Sequence, residues 1–291
     1  MPINHPRRSH RRACGAAPQF AEVDPGTLCV SSLDVMAALT LATRAVMPVL
    51  YGGRAVDLAG ARDALAERGI PVVEDAAQAF GSHHGVRRVG ATGVLICFSF
   101  GPIKSLTCGQ GGAVIPRSPQ EADRLRALRM LGIRKSQADR IRSTSYTVDC
   151  PGMRYPMSTL NVAIGRVQLA HFPQTEVKRR QLWRAYRDAM AGLDGVALVD
   201  VDVDSSVPFN CVVRVPAAVR GQVHARLQAR GIGVGVHYPP NHLQPVFAAW
   251  RRSLPVTERV GRQILSLPVL GKGALAAHAC GVIAGLPGTV G

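Results

Sequence analysis

Apolar and polar positions in the first half of the chain follow a repeating order of strand and then helix. The predicted strands are the short apolar runs at 19–23, 45–51, 71–73, 94–99 and 113–115. The predicted helices are the stretches at 32–41, 56–68 and 119–131, the first with Ser31 or Ser32 as its N-cap. This alternation favours a mainly parallel sheet covered by helices, which is the arrangement of an α/β domain.

The second half of the chain has a different pattern. Its predicted helices lie at 157–171, 174–193 and 218–230, and its predicted strands lie at 210–215 and 233–237. A long charged helix followed by mixed elements indicates a smaller α+β domain. We therefore predict a basic, disordered tail over 1–14, a large domain over 15–175 and a small C-terminal domain over 176–291.

Composition is ordinary for a soluble globular protein. Of the 291 residues, 47% are hydrophobic and 19% are charged. The chain has no apolar run of the roughly 18 residues that a membrane span needs, and no apolar segment follows its basic start. Its seven cysteines are scattered and form no ligand cluster. We therefore predict reduced thiols, no metal site, no membrane span and a cytoplasmic location.

The net charge of +16 allows two interpretations. A basic surface can bind nucleic acid or an anionic ligand, but an excess of arginine spread along the chain also arises from compositional bias. No aromatic residues are interleaved with the basic ones, and no nucleic-acid motif is present. We predict no nucleic-acid partner, although a positive field would attract a sugar nucleotide.

Three local features carry candidate chemistry. Asp75 follows a predicted buried strand, at the sheet edge where ligands of α/β proteins bind, although an aspartate there can equally cap a helix. Ser99 ends the next long strand, and Lys104 follows on a turn, where a partly desolvated lysine is a competent Schiff-base amine. Taken alone, a lysine is more often a surface residue. The turn at 109–112 contains three glycines and permits close backbone approach, but it also suits an ordinary hairpin.

Together these features resemble the DegT/DnrJ/StrS family of PLP-dependent sugar aminotransferases, which has fold type I. The family pattern EDAAQA is matched at 74–79, and its SFxxxK pattern is matched at 99–104. Later segments are also similar to the family, namely GMRYPM at 152–157, HYPPNHLQP at 237–245 and SLP at 266–268. The resemblance runs from about residue 15 to the end of the chain. It implies a three-layer α/β/α large domain with a mainly parallel sheet, followed by a small α+β domain.

The resemblance also implies a cofactor, pyridoxal 5'-phosphate (PLP), and a role for each matching residue. Lys104 is implied to form the Schiff base with PLP and then to shuttle the proton, Asp75 to pair with the pyridine nitrogen, and Gln78 to contact the 3-oxygen side of the ring. Ser99 is implied to bind the phosphate, and Arg154 to reach the phosphate of a neighbouring subunit. His237, Tyr238 and His242 are candidates for lining the substrate region, and a purely structural role is an equal alternative for each.

By the same resemblance, the protein is a homodimer that moves an amino group from a small-molecule donor, glutamate or glutamine, to a keto-sugar nucleotide or keto-cyclitol. Such reactions belong to secondary-metabolite or surface-sugar biosynthesis. Family members carry a Ser-Gly-Thr turn and a ring-stacking aromatic residue in a segment that precedes the part matched here. Neither is found in this chain, so weak PLP binding and low activity are expected of it as written. The alternative to an active enzyme is a catalytically defective remnant or a non-catalytic partner.

Overall fold

The computed structural model describes residues 15–135, 137–269 and 274–285, so the predicted tail over 1–14 lies outside the described residues. The strands of the described part are β1 (Val73–Asp75), β2 (His83–His84), β3 (Arg87–Arg88), β4 (Leu95–Ser99), β5 (Gly112–Ile115), β6 (Ala197–Leu198), β7 (Cys211–Arg214) and β8 (Ile264–Leu267). The helices of this part are α1 (Ser32–Ala38), α2 (Arg62–Glu67), α3 (Pro119–Leu128), α4 (Gln137–Ile141), α5 (Thr159–Ala170), α6 (Phe172–Met190), α7 (Arg220–Ala229), α8 (Pro255–Gly261) and α9 (Ala274–Ala284).

Helix starts follow the capping chemistry of the sequence. Ser31 caps α1, because its hydroxyl accepts from the backbone N–H of Asp34 while the Asp34 carboxylate accepts from the backbone of Ser31. Ser118 and Ser158 cap α3 and α5 in the same way through their hydroxyl oxygens. Of the two predicted N-caps, Ser31 and Ser32, the structure has Ser31.

The first sheet has the strand order β1, β4, β5. β1 runs parallel to β4 with Asp75 opposite Cys97, and β4 pairs antiparallel with β5. The predicted strand at 45–51 pairs with β1 only through two parallel bridges, Val46 to Val72 and Val49 to Asp75. This geometry brings the carboxyl ends of three parallel segments to one edge of the sheet.

Two predicted strands are wrong. Residues 19–23 form no strand. Phe20 and Val23 are buried by side-chain packing, and the Glu22 carboxylate accepts a hydrogen bond from the backbone of α8 instead of lying in a sheet. Residues 233–237 form a single bridge, from Gly235 to Ser266, instead of a ladder. An apolar run indicates that its side chains are buried but does not show that its backbone pairs in a sheet. In both segments the apolar side chains are buried or half-buried without a strand ladder.

The described residues form two main hydrophobic clusters. One cluster surrounds the first sheet and includes Ile96 and Leu50. The other lies between α6, α7, α9 and the antiparallel sheet β6–β7–β8, and includes Tyr186 and Leu227. The boundary that we proposed at 175/176 falls inside α6, whose first half precedes the residues of the second cluster. The division into two domains stays a proposal.

Glu22 links the start of the described chain to α8. Its carboxylate accepts from the backbone N–H of Thr257 at 2.7 Å, from the backbone N–H of Val256 at 3.1 Å and from the Thr257 hydroxyl. Burial raises the pKa of Glu22, but the hydrogen bonds from Thr257 and Val256 outweigh burial and hold it below its usual range. The carboxylate therefore caps the first turn of α8 from outside the helix.

Replacing Glu22 with Gln removes this charged cap, and we expect the free energy of unfolding to fall by about 1 kcal/mol at pH 7. Because the pKa of Glu22 is lowered in the folded state, its contribution is present above the unfolded pKa and is lost as the pH falls below about 4. Urea unfolding at pH 7 and pH 3.5 measures this difference. Glu67→Gln, at an exposed position of α2, is the matched control, and an equal effect of both variants would contradict the assignment.

Candidate active site

The two strand ends predicted to carry chemistry are adjacent. Asp75 ends β1 and Ser99 ends β4, and the two strands pair side by side. After Ser99 the chain leaves the sheet, turns at Gly101 and returns at Cys108. The N–H of Lys104 donates to the carbonyl of Gly101 at 3.1 Å, and the N–H of Cys108 donates to Phe100 at 3.0 Å. These bonds fix the loop that holds Lys104 at the edge of the sheet.

The Lys104 amine is half-buried. Its Nζ lies 5.0 Å from the centre of the Phe209 ring. Burial lowers the pKa of Lys104, and the negative charge of Asp75 acts in the opposite direction. The site therefore combines an amine that loses its proton more readily with a carboxylate close enough to act on it.

Gln78 and Tyr238 are joined in the same region. Gln78 is 2% exposed, and its Oε1 accepts from the backbone N–H of Gly52 at 2.8 Å. Its Nε2 donates to the Tyr238 hydroxyl at 3.4 Å. Burial raises the pKa of Tyr238, and the charge of Asp75 raises it further despite the bond from Gln78. Asp75, Gln78 and Tyr238 thus form one connected group.

His237 also borders Lys104. Burial lowers the pKa of His237, and the positive charge of Lys104 lowers it further. The hydroxyl of Tyr51 donates to the carbonyl of His237, which ties this segment to the turn at Tyr51–Gly53. The imidazole is thereby kept neutral beside the amine.

Two glycines permit the close approach that assembles the site. Gly53 has a φ of +104°, and a Cβ there would lie 2.3 Å from the carbonyl oxygen of Val207. Gly52 has a φ of +66°, and its carbonyl accepts from the N–H of Phe209 at 2.8 Å. The turn therefore requires glycine at both positions and brings the segment with Phe209 to the edge of the first sheet.

The remaining predicted residues have different surroundings. Ser99 lies opposite Gly112 at the end of β4, close to Lys104 in sequence. Arg154 is exposed and forms a backbone bridge with Met130, so its contacts do not place it with Lys104 within one chain. His242 is 1% exposed, and its Nε2 lies 3.2 Å from a carboxylate oxygen of Glu258. The structural alternative thus has direct support at His242, and the roles of all these residues stay proposals.

Phe209 and Tyr51 were not among the residues singled out from the sequence. Phe209 lies in a loop between Pro208 and Asn210, where the local pattern gives no signal. Tyr51 stands before the Gly52-Gly53 pair that marked the end of a predicted strand, and that pair was the available clue. Among the residues that the structure describes, no three His, Cys, Asp or Glu side chains gather as metal ligands. No helix within the same residues combines the length and apolar character of a membrane span.

Comparison with known proteins identifies the family. The model of the DegT/DnrJ/EryC1/StrS aminotransferase family matches residues 10–279. The chain belongs to this family. A curated relative, dTDP-3-amino-3,4,6-trideoxy-alpha-D-glucose transaminase of Streptomyces venezuelae, is 36% identical over 262 residues. That match covers 88% of this chain and 66% of the relative, so the chain spans slightly less than two thirds of the relative's length.

Solved structures of the family share the fold. The sugar aminotransferase CalS13 from Micromonospora echinospora superposes with a TM-score of 0.86 at 30% identity, covering 94% of this chain and 76% of that one. DesV from S. venezuelae superposes with a TM-score of 0.85 at 34% identity, covering 94% and 73%. The predicted fold class, PLP-dependent transferase fold type I, is confirmed.

The residues around Lys104 fit a polar cofactor such as PLP. Within the described part of the chain, Ser105 Oγ and His237 Nδ1 are buried without a hydrogen-bond partner. Ser105 directly follows Lys104 in the chain. His237 is close enough to Lys104 for the positive charge of the amine to lower the pKa of the imidazole. Buried polar atoms need partners, and a cofactor attached at Lys104 would supply them. Family membership adds that PLP is the cofactor of these aminotransferases.

Glu74, the neighbour of Asp75, belongs to the core instead of the site. It pairs with Ile96, which is fully buried, and is itself 8% exposed. Burial raises the pKa of Glu74 to about 7. The two carboxylates of the motif therefore differ in environment because successive residues of a strand point to opposite faces.

Glu74→Gln should leave stability nearly unchanged at pH 5 and raise it at pH 8. The pKa of Glu74 is raised in the folded state. Its contribution to the stability of the unmodified protein is therefore fully present below about pH 4.3 and is lost as the pH rises through 7. At pH 8 we expect the free energy of unfolding of the variant to exceed that of the unmodified protein by about 1–3 kcal/mol more than at pH 5. The reason is that a neutral amide carries no ionisation cost. Thermal melts at both pH values test this, with Glu67→Gln as the exposed control. A gain that does not depend on pH would contradict it.

Proposed function

We propose that this chain is a PLP-dependent aminotransferase that moves an amino group to the keto group of a nucleotide-linked sugar or cyclitol, with glutamate or glutamine as donor. The observation that carries the proposal is the half-buried Lys104 amine at the edge of the sheet, within the field of Asp75. The names of its relatives support the acceptor class, since both the curated relative and CalS13 are described as acting on sugars. The alternative of a non-catalytic remnant has no support in these comparisons.

PLP, when bound, would supply an electron-withdrawing ring that stabilises the electron pair left on a substrate carbon after proton removal. Asp75 would hold it at the pyridine nitrogen and keep that nitrogen protonated. Ser99 would contribute to the phosphate site, and Gln78 would contact the 3-oxygen side of the ring. Each of these assignments uses a residue that the fold brings to the same sheet edge.

Lys104 is proposed to be both the attachment point and the proton carrier. A lysine that acts as a base must be uncharged at the moment it accepts a proton at Nζ. Burial lowers the pKa of Lys104 and so increases the uncharged fraction at neutral pH, while Asp75 limits that effect. Because the neighbouring His237 is neutral, it does not weaken the electrostatic attraction between Lys104 and Asp75.

An anionic acceptor matches the charge of the protein. The chain carries a net charge of +16, and a sugar linked to a nucleotide brings two phosphates. A positive field raises the local concentration of such a substrate and its association rate. Tyr238 and His237 are proposed to line the side of the site where the sugar would bind.

The first test is attachment of PLP to Lys104. We expect the purified chain, titrated with PLP, to develop a visible absorbance band, and borohydride reduction followed by peptide mass spectrometry to place PLP on Lys104. The Lys104→Ala variant should lose both signals, while Lys178→Ala, at an exposed position of α6, should keep them. The titration also measures the affinity of the chain for PLP. Absence of covalent PLP on Lys104 at every concentration would contradict the proposal.

We further propose that the protein acts as a homodimer through α5. In the described structure no residue of α5 is buried, although its apolar side chains include Leu160, Val167 and Leu169, which are 54–71% exposed. A helix this apolar is normally covered, and an exposed apolar patch marks an interaction site. The occupant we commit to is a second copy of the chain.

The position of α5 beside the site supports this occupant. Gly165 of α5 packs against Cys108, where a Cβ would approach to 3.2 Å. Asn161 of α5 donates to the carbonyl of Gln110 at 2.7 Å. The helix α5 thus contacts the loop that carries Lys104 at Cys108 and Gln110.

Leu160→Asp combined with Val167→Asp should convert the dimer to a monomer, because two buried carboxylates would face a second copy across an apolar surface. Sedimentation velocity measures the oligomeric state, and an increase of at least tenfold in the dissociation constant is expected. The control is Val86→Asp, at a hairpin residue that is 97% exposed and distant in sequence from α5. An unchanged dimer in the double variant would exclude α5 as the interface.

A further inference from the structure

The segment 205–210 lies between β6 and β7 and is held by hydrogen bonds along its whole length. The N–H of Val207 donates to Ser82 Oγ at 2.8 Å, and the N–H of Phe209 donates to the carbonyl of Gly52 at 2.8 Å. On the opposite side, Arg180 Nε donates to the carbonyl of Ser206 at 2.8 Å. The backbone that carries Phe209 therefore has little freedom.

Arg179 binds the two carbonyls at Phe209 and just before it. Its Nη1 donates to the carbonyl of Pro208 and to the carbonyl of Phe209, each at 3.1 Å. The side chain is buried in the middle of α6, with the residue 4% exposed. Burial lowers the pKa of Arg179 to about 10, so the guanidinium remains charged at neutral pH. A buried charge is costly, and here Nη1 is satisfied by two carbonyls of the segment that faces Lys104, while Nε is buried without a hydrogen-bond partner.

The Phe209 ring is the group that this arrangement presents to the amine. The 5.0 Å separation between Lys104 Nζ and the ring centre is within the range of a cation–π interaction. The ring has two opposite effects on the amine. Its apolar bulk keeps water away and favours the uncharged form, whereas its electron-rich face attracts the charged form.

We propose that Arg179 is a positioning residue for Lys104, which acts by clamping the 208 and 209 carbonyls so that the Phe209 ring covers the amine. The inference rests on the proposed role of Lys104 and extends it to a residue on α6 that does not touch the amine. The other titratable groups that act on Lys104 are Asp75 from β1 and His237 from the segment after α7. Neither is held by Arg179.

Competitive acetylation of the full chain without PLP tests the proposal. The chain contains four lysines, and Lys135 is an exposed internal reference far from Arg179 in sequence. Trace labelling with acetic anhydride across pH 6–11, followed by mass spectrometry, gives the pH at which Lys104 reaches half of its maximal reactivity. Because no cofactor is present, failure of this inference is distinct from failure of the proposed function.

The two key variants should move the Lys104 profile in opposite directions. Arg179→Met releases the clamp and admits water, so the half-reaction pH should rise, and reactivity at pH 8 relative to Lys135 should fall about two- to fivefold. Phe209→Leu keeps apolar cover but removes the aromatic face, so the half-reaction pH should fall and relative reactivity should increase by about the same factor. Arg179→Lys keeps a charged donor and should restore much of the parent profile.

Arg187→Met, on the exposed side of α6, is the matched control and should leave the Lys104 profile unchanged. Thermal melts establish that each variant is folded. If Arg179→Met does not fold, the Lys104 profiles of Arg179→Lys and Phe209→Leu are compared with that of the unmodified protein instead. A shift of both key variants in the same direction, or a loss of stability with an unchanged Lys104 profile, would show that Arg179 has a structural role only and would overturn the proposal.

Discussion

The site depends on the approach of Gly53 to the carbonyl oxygen of Val207. A side chain at Gly53 would lie 2.3 Å from that oxygen, so the two segments can meet only because glycine stands there. This contact, together with the hydrogen bond from the N–H of Phe209 to the carbonyl of Gly52, brings Phe209 to its place over Lys104. On the other side of the turn, Gln78 fixes Gly52 through its side-chain oxygen. One backbone approach thus shapes the surroundings of the amine and of Gln78, the fifth residue of the EDAAQA motif.

The electrostatics of the site arise from a balance between burial and one carboxylate. Burial makes Lys104 more acidic, while Asp75 restrains that change. His237 responds to burial and to the lysine, and Tyr238 responds to burial and to Asp75. A balance of this kind suits an amine that must exist in both protonation states during one reaction cycle. The groups that act on the amine or respond to it come from distant parts of the chain.

Sequence reasoning predicted those parts of the structure that local pattern controls. β4, β5 and the cap at Ser31 follow from apolar runs and hydroxyl chemistry, and the clustering of Asp75, Ser99 and Lys104 follows from strand ends sharing an edge. Contacts between distant segments were not accessible in this way. Phe209 has no local signal, because its importance comes from a turn more than 150 residues earlier in the chain. Residues 19–23 were misassigned because burial without a strand partner leaves the same apolar pattern.

The pairing of β1 with β4 decides which of two neighbouring acids faces the proposed site. Asp75 lies opposite Cys97, and Glu74 lies opposite Ile96 in the core. A slip of one residue would exchange them, so that the amine would face the glutamate and the shorter aspartate would enter the apolar interior. The motif letters would be unchanged, yet the reach of the acid towards the amine would be different by one methylene. The identity of the carboxylate proposed to act at the site is therefore a property of the strand alignment as much as of the residue type.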